Sequence, residues 1–213
     1  TTTSNSVAVG YKALEDNTAA NNVAVGSQTL RENTTGSENV AIGSYALVAL
    51  TTGSYNHALG VRCLQSCTTG EKNVFAGHNS GYYLTTGSRN TAIGNYCMAD
   101  AAVTGDKNSG YGDNACREMT SGEKNTGIGC QALYNCTTGS NNAAIGHAAL
   151  GSNTTASENT AVGSLAAYSL STGVSNTSIG KNSMTNATTA GYNVAVGVQA
   201  IGLGVATAAR FMG

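Results

Sequence analysis

The stretch from Thr137 to Leu150 reads TTGSNNAAIGHAAL, and the stretch from Thr85 to Met98 reads TTGSRNTAIGNYCM. The same motif recurs along the chain, and in each copy a glycine follows a triplet of mostly apolar or small residues. These anchor glycines are Gly10, Gly26, Gly43, Gly60, Gly77, Gly94, Gly112, Gly129, Gly146, Gly163, Gly180 and Gly197. Nine of the eleven intervals are identical in length; the first is one residue shorter and the sixth one residue longer. The chain is therefore built from twelve copies of one unit.

The length of this unit decides the fold class. A period of about 17 residues is too short for a helix-turn-helix repeat, and the abundance of Gly, Thr and Asn disfavours helix. A short fixed period with β-branched triplets is typical of one coil of a β-solenoid, in which equivalent residues of successive coils stack about 4.8 Å apart. We predict an all-β chain, a parallel β-solenoid of about twelve coils over residues 1–202, with a C-terminal cap or connector at 203–213.

Two columns of the repeat are predicted to fill the core, one residue before and four residues after the anchor. Their members include Ile42, Ile93, Ile128, Ile145, Ile179, Leu47, Leu64, Leu133 and Leu150. Neighbouring residues of a strand point to opposite faces, so the small residue two places before the anchor is expected to point outward. We therefore predict that an uncharged ribbon contacts another copy of the chain through Ala41, Ala58, Ala92, Ala144 and Ala161.

An asparagine stands four residues before the anchor in every unit except the first, which has Ser6. Asparagine tolerates tight turns and can bond to copies of itself above and below. We predict a structural ladder of stacked amides that includes Asn39, Asn56, Asn73, Asn90, Asn108, Asn125, Asn142 and Asn159. The alternative is a polar ladder that binds glycans. A second set of glycines, among them Gly70, is expected to provide positive φ or close approach of backbones.

Charged residues make up 10% of the chain against about 25% in typical domains, and the net charge is −1. The chain has no concentration of basic residues that would hold nucleic acid. It also contains no run of about 18 apolar residues, which is the length that membrane insertion requires. Every charged residue except Arg210 lies one, two, five or six places after the anchor, or five or six before it. The charge-free columns must include the core and any surface that another chain covers.

The six cysteines are Cys63, Cys67, Cys97, Cys116, Cys130 and Cys136. Several share repeat positions that elsewhere hold Ala, Thr, Ser, Leu or Asn, which favours small buried side chains. Disulfides and a metal site are the alternatives, although no CxxC pair exists and the three histidines are scattered. We expect no cofactor and no metal.

The units NVAVG (Asn22 to Gly26), NVAIG (Asn39 to Gly43) and NTAIG (Asn90 to Gly94) resemble the head repeats of YadA-type trimeric autotransporter adhesins. The longer unit NxAIGxxALxxxTTGxx more closely resembles repeats in bacteriophage tail fibres and related virion appendages. The resemblance covers about residues 1–201. It implies a left-handed β-roll or solenoid, three chains around an axis, and a location on a virion or outside a cell. The period of this chain is longer than that of the adhesin head repeat.

We therefore predict a non-catalytic structural or adhesive segment of a virion tail fibre or cell-surface adhesin, part of a longer or processed chain. Its partner is itself, as a parallel homotrimer or, alternatively, as an end-to-end filament joined through strand edges at residues 1–10 and 194–213. A host-surface glycan or receptor is a further candidate partner, because a tyrosine pairs an apolar ring with a polar hydroxyl. The candidate contacts are Tyr45, Tyr82, Tyr83, Tyr96, Tyr134 and Tyr168.

Three other functions have weaker support. Hexapeptide acyltransferases share the IGxxAL string, but their coils are multiples of six residues, which this unit is not, and His57, His78 and His147 are isolated. Carboxylates for glycoside cleavage would be Glu71, Asp106 and Glu123, but each precedes a lysine, which favours solvated ion pairs. An ice-binding surface would use the threonine pairs, such as Thr34-Thr35, although the Thr-x-Thr spacing that favours flat ice matching does not recur.

Overall fold

The computed structural model describes residues 5–201, which divide into two compact units between Lys107 and Asn108. The first unit contains β1 (Val7–Val9), β2 (Val23–Val25), β3 (Val40–Ile42), β4 (His57–Leu59), β5 (Val74–Ala76) and β6 (Thr91–Ile93). The second contains β7 (Ser109–Tyr111), β8 (Thr126–Ile128), β9 (Ala143–Ile145), β10 (Thr160–Val162), β11 (Thr177–Ile179) and β12 (Val194–Val196). The predicted cap or connector at 203–213 lies outside the described residues.

Within each unit, every strand pairs in parallel with the next strand of the chain. In the second unit, for example, Ala144 pairs with Ala161 and Ile145 with Val162, one repeat apart. The first unit keeps the same arrangement, with Ala41 paired to Ala58. Both units are therefore parallel β-solenoids with one strand in each coil, which confirms the predicted fold class.

Hydrogen bonds between coils continue beyond the three-residue strands. The backbone N–H of Gly146 donates to Ile128 O at 2.7 Å, and that of Leu133 donates to Ala149 O at 3.0 Å. In the next turn, the N–H of Thr137 donates to Thr154 O at 2.9 Å. Donors thus point both to the preceding and to the following coil, so most of the backbone is paired although the strands are short.

The corners depend on backbone conformations with positive φ, which residues other than glycine rarely adopt. In one coil Gln131, Leu133 and Asn141 all have φ between 53° and 59°, a left-handed region that costs non-glycine residues about 1–2 kcal/mol each. The anchor Gly129 has φ 127°, and a Cβ there would lie 2.7 Å from the carbonyl of Gly146. At Gly70 φ is not positive, but a Cβ would lie 2.5 Å from Gly87 O. The second glycine column therefore serves close approach of backbones.

The orientation of the strands is opposite to the sequence prediction. The middle residues Ala41, Ala58, Ala92, Ala144 and Ala161 are fully buried inside their own coils, so they cannot contact another chain. The side chains predicted for the core are instead between 39% and 46% exposed: Ile42, Ile93, Ile128, Ile145 and Ile179. The leucines of the other predicted core column, Leu47, Leu64, Leu133 and Leu150, are fully buried.

The narrow interior of the coil explains this orientation. The leucine column and the buried asparagines already occupy the interior, so the inward position of the strand has room for little more than a methyl group. Phe75 is a fully buried exception, and it depends on Gly81, which replaces the usual leucine. A Cβ on Gly81 would lie 2.6 Å from the Phe75 ring and 2.8 Å from Leu64. The alanine and leucine columns therefore fill one shared space.

The one long repeat accommodates its extra residue in a turn. The N–H of Gly81 donates to Cys97 O with the same separation along the chain as in the neighbouring coil, where Leu64 donates to Ser80 O. By Thr85, however, the acceptor is Val103 O, one residue further along the chain than in the preceding pair, where Thr68 donates to Thr85 O. The insertion therefore lies between Cys97 and Val103, which includes the predicted position around Ala101 and Ala102.

The orientation of the strands can be tested with two neighbouring substitutions. Ala144→Asp places an unpaired carboxylate in a filled interior and should lower the free energy of unfolding by at least about 3 kcal/mol. Ile145→Asp places the same group on the exposed face and should leave the chain folded, at a cost within about 1 kcal/mol. Urea unfolding followed by circular dichroism measures both. Equal losses in the two variants would contradict the orientation described here.

Candidate functional site

The asparagine ladder lies inside the coils. The N–H and Nδ2 of Asn142 donate to Asn125 Oδ1 at 3.0 and 3.1 Å, and Nδ2 also donates to Ala156 O at 2.8 Å. Asn142 Oδ1 in turn accepts the N–H and Nδ2 of Asn159 at 3.0 and 3.2 Å. The ladder residues are at most 1% exposed, namely Asn39, Asn56, Asn73, Asn90, Asn108, Asn125, Asn142 and Asn159. Buried in this way, the amides hold successive coils together and cannot reach a glycan.

The first threonine of each pair also uses its hydroxyl within the solenoid. Thr34 Oγ1 donates to Thr51 O at 2.9 Å, Thr51 Oγ1 to Thr68 O at 3.1 Å, and Thr137 Oγ1 to Thr154 O at 3.0 Å. The second threonines, such as Thr86 and Thr138, form a single exposed column. One rank of hydroxyls bound to the backbone and one exposed rank do not make the broad two-rank surface that ice matching would favour.

The candidate catalytic groups do not come together. His57, His78 and His147 are all exposed, and His78 packs edge-on against Tyr96 at 5.6 Å between ring centroids. Asp106 accepts the N–H of Ser88 at 2.8 Å. Residues 5–201 contain no cluster of three or more His, Cys, Asp or Glu that could hold a metal ion.

The predicted ion pairs between the candidate carboxylates and the lysine that follows each of them do not form. The carboxylates are those of Glu71, Asp106 and Glu123. Ion pairs form elsewhere in the described residues, for example Lys12–Glu15, at 3.0 Å, and Arg31–Glu32. Lys72 instead lies 5.9 Å from the centroid of the Tyr55 ring. The three carboxylates therefore act as separate surface charges.

The cysteines behave as small buried side chains. All six are thiols, and all except the exposed Cys130 are buried. Burial raises the pKa of Cys63, Cys67 and Cys136 to about 12, because the charged thiolate is poorly solvated inside the coil. These thiols are therefore protonated and unreactive at neutral pH.

Three of the six candidate tyrosines line one cavity of about 260 Å³ in the first unit. Tyr82 and Tyr83 pack edge to face at 4.5 Å between centroids, and Tyr96 belongs to the next coil. The cavity is completed by Arg62, Asn79, Ala99 and Asp100, none of which the sequence pattern singled out. The hydroxyl of Tyr82 accepts a hydrogen bond from Gln65 Nε2 at 3.4 Å, which orients its ring.

Two further candidate tyrosines, Tyr134 and Tyr168, line a cavity of about 300 Å³ in the second unit. The other residues of this cavity are Gln131, Asn135, Ala148 and Gly151. Tyr134 and Tyr168 occupy the same repeat position two coils apart, and Gly151 holds that position between them. A Cβ on Gly151 would lie 2.8 Å from the Tyr168 ring, so this ring covers the glycine. The sixth candidate, Tyr45, lies outside both cavities and accepts a hydrogen bond from Gln28 Nε2 at 3.0 Å.

In each unit, the first and third residues of the strands form another notable surface. Val74, Ile93, Ile145 and Ile179 are among its exposed side chains, and no strand in the described residues contains an acidic or basic side chain other than the histidine of β4. We call this surface the strand face. Sequence reasoning missed it because it assigned the larger apolar residues to the core. One signal in the sequence could have corrected this assignment. In a single repeat Phe75 stands in the alanine column while Gly81 stands in the leucine column, which indicates that the two columns share one interior.

The role of the asparagine ladder gives a stability prediction. Asn142→Ala removes the groups that pair with Asn125, Ala156 and Asn159 and leaves buried partners unsatisfied. We expect a loss of about 1–3 kcal/mol in the free energy of unfolding. Asn95→Ala is the control, because Asn95 is exposed and water can replace the hydrogen bond that its Oδ1 accepts from His78 N–H at 3.2 Å, so the change should cost less than about 0.5 kcal/mol. Thermal and urea unfolding compare the two, and equal losses would contradict the buried ladder.

Thiol accessibility gives a second prediction. A maleimide at pH 7 should modify Cys130 alone in the native chain, because the other five thiols are enclosed in the coils. In urea all six should react. Mass spectrometry counts the modified thiols. Rapid native modification of Cys63 or Cys136 would contradict the described interior.

Comparison with known proteins gives no family for this chain. No helix in the described residues is long and apolar enough to cross a membrane. No protein-family model matches the sequence, and no match is found among curated proteins or among solved structures.

Proposed function

We propose that the chain is a non-catalytic structural and adhesive fibre segment whose copies associate side by side through the strand face. The observation that carries this proposal is the exposure of apolar side chains at the same strand position in coil after coil. Ile42, Leu59 and Ile93 in the first unit, and Ile128, Ile145 and Ile179 in the second, are between 39% and 46% exposed. Contiguous apolar surface of this kind marks an interaction site in most soluble proteins.

A second copy of the same chain is the occupant that fits this surface best. Its coils have the same spacing, about 4.8 Å, so every apolar side chain of one copy can meet an equivalent one of its neighbour. The strand face carries no Asp, Glu, Lys or Arg, so covering it costs little desolvation. An unrelated partner would match this spacing at only a few coils.

We propose three parallel copies around an axis, with the strand face inward. The number of copies rests on the resemblance to trimeric fibre and adhesin repeats. The association through alanines expected from the sequence is replaced by association through Val and Ile, because the alanines are buried. The proposed location is a virion or a cell surface. The alternative is an end-to-end filament, whose terminal strand edges fall partly outside the described residues.

The mode of association can be tested with one charge in each unit. Wild-type chain should sediment at three times the chain mass of 21.3 kDa. The double variant Ile93→Glu with Ile145→Glu should sediment as a monomer, because covering the added carboxylates would cost too much desolvation. An end-to-end filament would be unaffected by these substitutions.

The matched control is Thr86→Glu with Thr138→Glu, which adds the same charges to an exposed column outside the strands. This control should remain associated. A wild-type chain that stays monomeric at high concentration would overturn the proposal, as would equal sedimentation of the strand-face variant and the wild type.

A further inference from the structure

The first-unit cavity contains a polar group whose hydrogen bonds are missing. Asn79 is only 8% exposed, and its Oδ1 is shielded from solvent without a hydrogen-bond partner. A buried amide oxygen in this state loses its bonds to water and receives none in return. Five other buried amide oxygens of the described residues are also unpaired, but of these six residues only Asn79 lines either of the two cavities described above. Most buried polar groups are paired, and the Asn79 amide could complete its hydrogen bonds with a group bound in the cavity once its side chain turns toward it.

The other walls of the cavity define what that ligand offers. Tyr82, Tyr83 and Tyr96 supply aromatic surface on which the C–H groups of a flat, partly apolar ring can pack. Arg62 supplies hydrogen-bond donors and forms no ion pair within residues 5–201. Asp100 supplies a carboxylate, which accepts hydrogen bonds from hydroxyl groups.

We propose that this cavity binds one neutral sugar residue, a hexose or an N-acetylhexosamine, of a larger glycan. Its ring would pack on the tyrosines, its hydroxyls would donate to Asp100 and accept from Arg62, and a hydroxyl or amide would pair with Asn79. Because Oδ1 is enclosed, this pairing requires the Asn79 side chain to rotate toward the cavity, where its amide can serve as acceptor or donor. The volume of about 260 Å³ lies below the about 300–1,000 Å³ of pockets for drug-sized ligands and suits a single ring.

The charges of the cavity favour a neutral sugar over an acidic one. Arg62 and Asp100 contribute one positive and one negative charge to the same cavity. A sugar carboxylate placed against Arg62 would also face the like charge of Asp100, which offsets the attraction. A neutral sugar uses both groups as hydrogen-bond partners without this repulsion.

The cavity in the second unit is a weaker candidate. It has two tyrosines and two amide side chains, Gln131 and Asn135, but no unpaired buried atom is found on its walls within the described residues. The inference is therefore confined to the first-unit cavity. It rests on the proposed adhesive role of the chain and names the ligand class of that role.

Saturation-transfer difference NMR on the full chain tests the site. The probes are the methyl glycosides of glucose, galactose, mannose, N-acetylglucosamine and N-acetylgalactosamine, with N-acetylneuraminic acid as the acidic comparison. At least one neutral probe should bind with a dissociation constant of about 1 mM and show transfer to its ring C–H protons. Binding of the acidic probe alone, or of none of the probes up to 20-fold above that concentration (about 20 mM), would overturn the inference.

The variants locate the binding. Tyr96→Ala and Asn79→Ala should each weaken binding at least tenfold. So should Arg62→Ala, and because the Arg62 side chain is exposed, we expect this variant to stay folded. Tyr45→Ala is the matched control: Tyr45 has the same repeat position as Tyr96, a similar φ of 61° against 49°, and 36% against 37% exposure. It should bind as wild type. Equal binding by wild type and Arg62→Ala would overturn the site.

Sedimentation of the same samples separates this inference from the proposed function. Sugar binding by a chain that remains monomeric would support the cavity and reject the side-by-side assembly. An assembled chain that binds no probe would reject the cavity alone.

Discussion

The spacing between successive coils constrains every column of this chain. Interstrand hydrogen bonds such as Gly146 N–H to Ile128 O, at 2.7 Å, continue through the turns and bring equivalent residues about 4.8 Å apart. Each residue must therefore fit against its own counterparts above and below. Asparagine meets this requirement because it carries both a donor and an acceptor, and glycine meets it where backbones touch. A charge would meet a like charge or an apolar wall, which explains its restriction to a few columns.

The same constraint produces a small interior and an apolar exterior. A coil this short encloses a leucine, an asparagine and a few small side chains, and this leaves the inward strand position to alanine. The larger β-branched residues then face outward, where they favour strand conformation without crowding the core. The paired change at Phe75 and Gly81 shows how the interior volume is kept when one column varies. The strand face is exposed because the interior of the coil is too small for these larger side chains. This exposed face is the basis of the proposed self-association.

The candidate ligand cavity occurs where the repeat becomes irregular. Ala99 and Asp100 line it, and they lie in the segment from Cys97 to Val103 that holds the extra residue. A perfectly regular column presents the same side chain at every coil and leaves no enclosed space. The second cavity follows the same principle, because Gly151 interrupts a column that holds Tyr134 and Tyr168 in the coils on either side. Departures from the repeat, more than the repeat itself, therefore indicate where recognition can take place.

The sequence by itself determined the period, the parallel solenoid, the asparagine column and the place of the extra residue, because stacking repeats each requirement at a fixed interval. It did not determine which face of the strand points inward. A three-residue strand such as Ala143–Ile145 has a single alternation, and hydrophobicity alone favours the isoleucine over the alanine as the buried residue. The tertiary structure decided otherwise, because the leucines and asparagines of the same coil had already filled the interior. It also brought Arg62, Asn79 and Asp100 to the tyrosines, a grouping across three coils that no local pattern specifies.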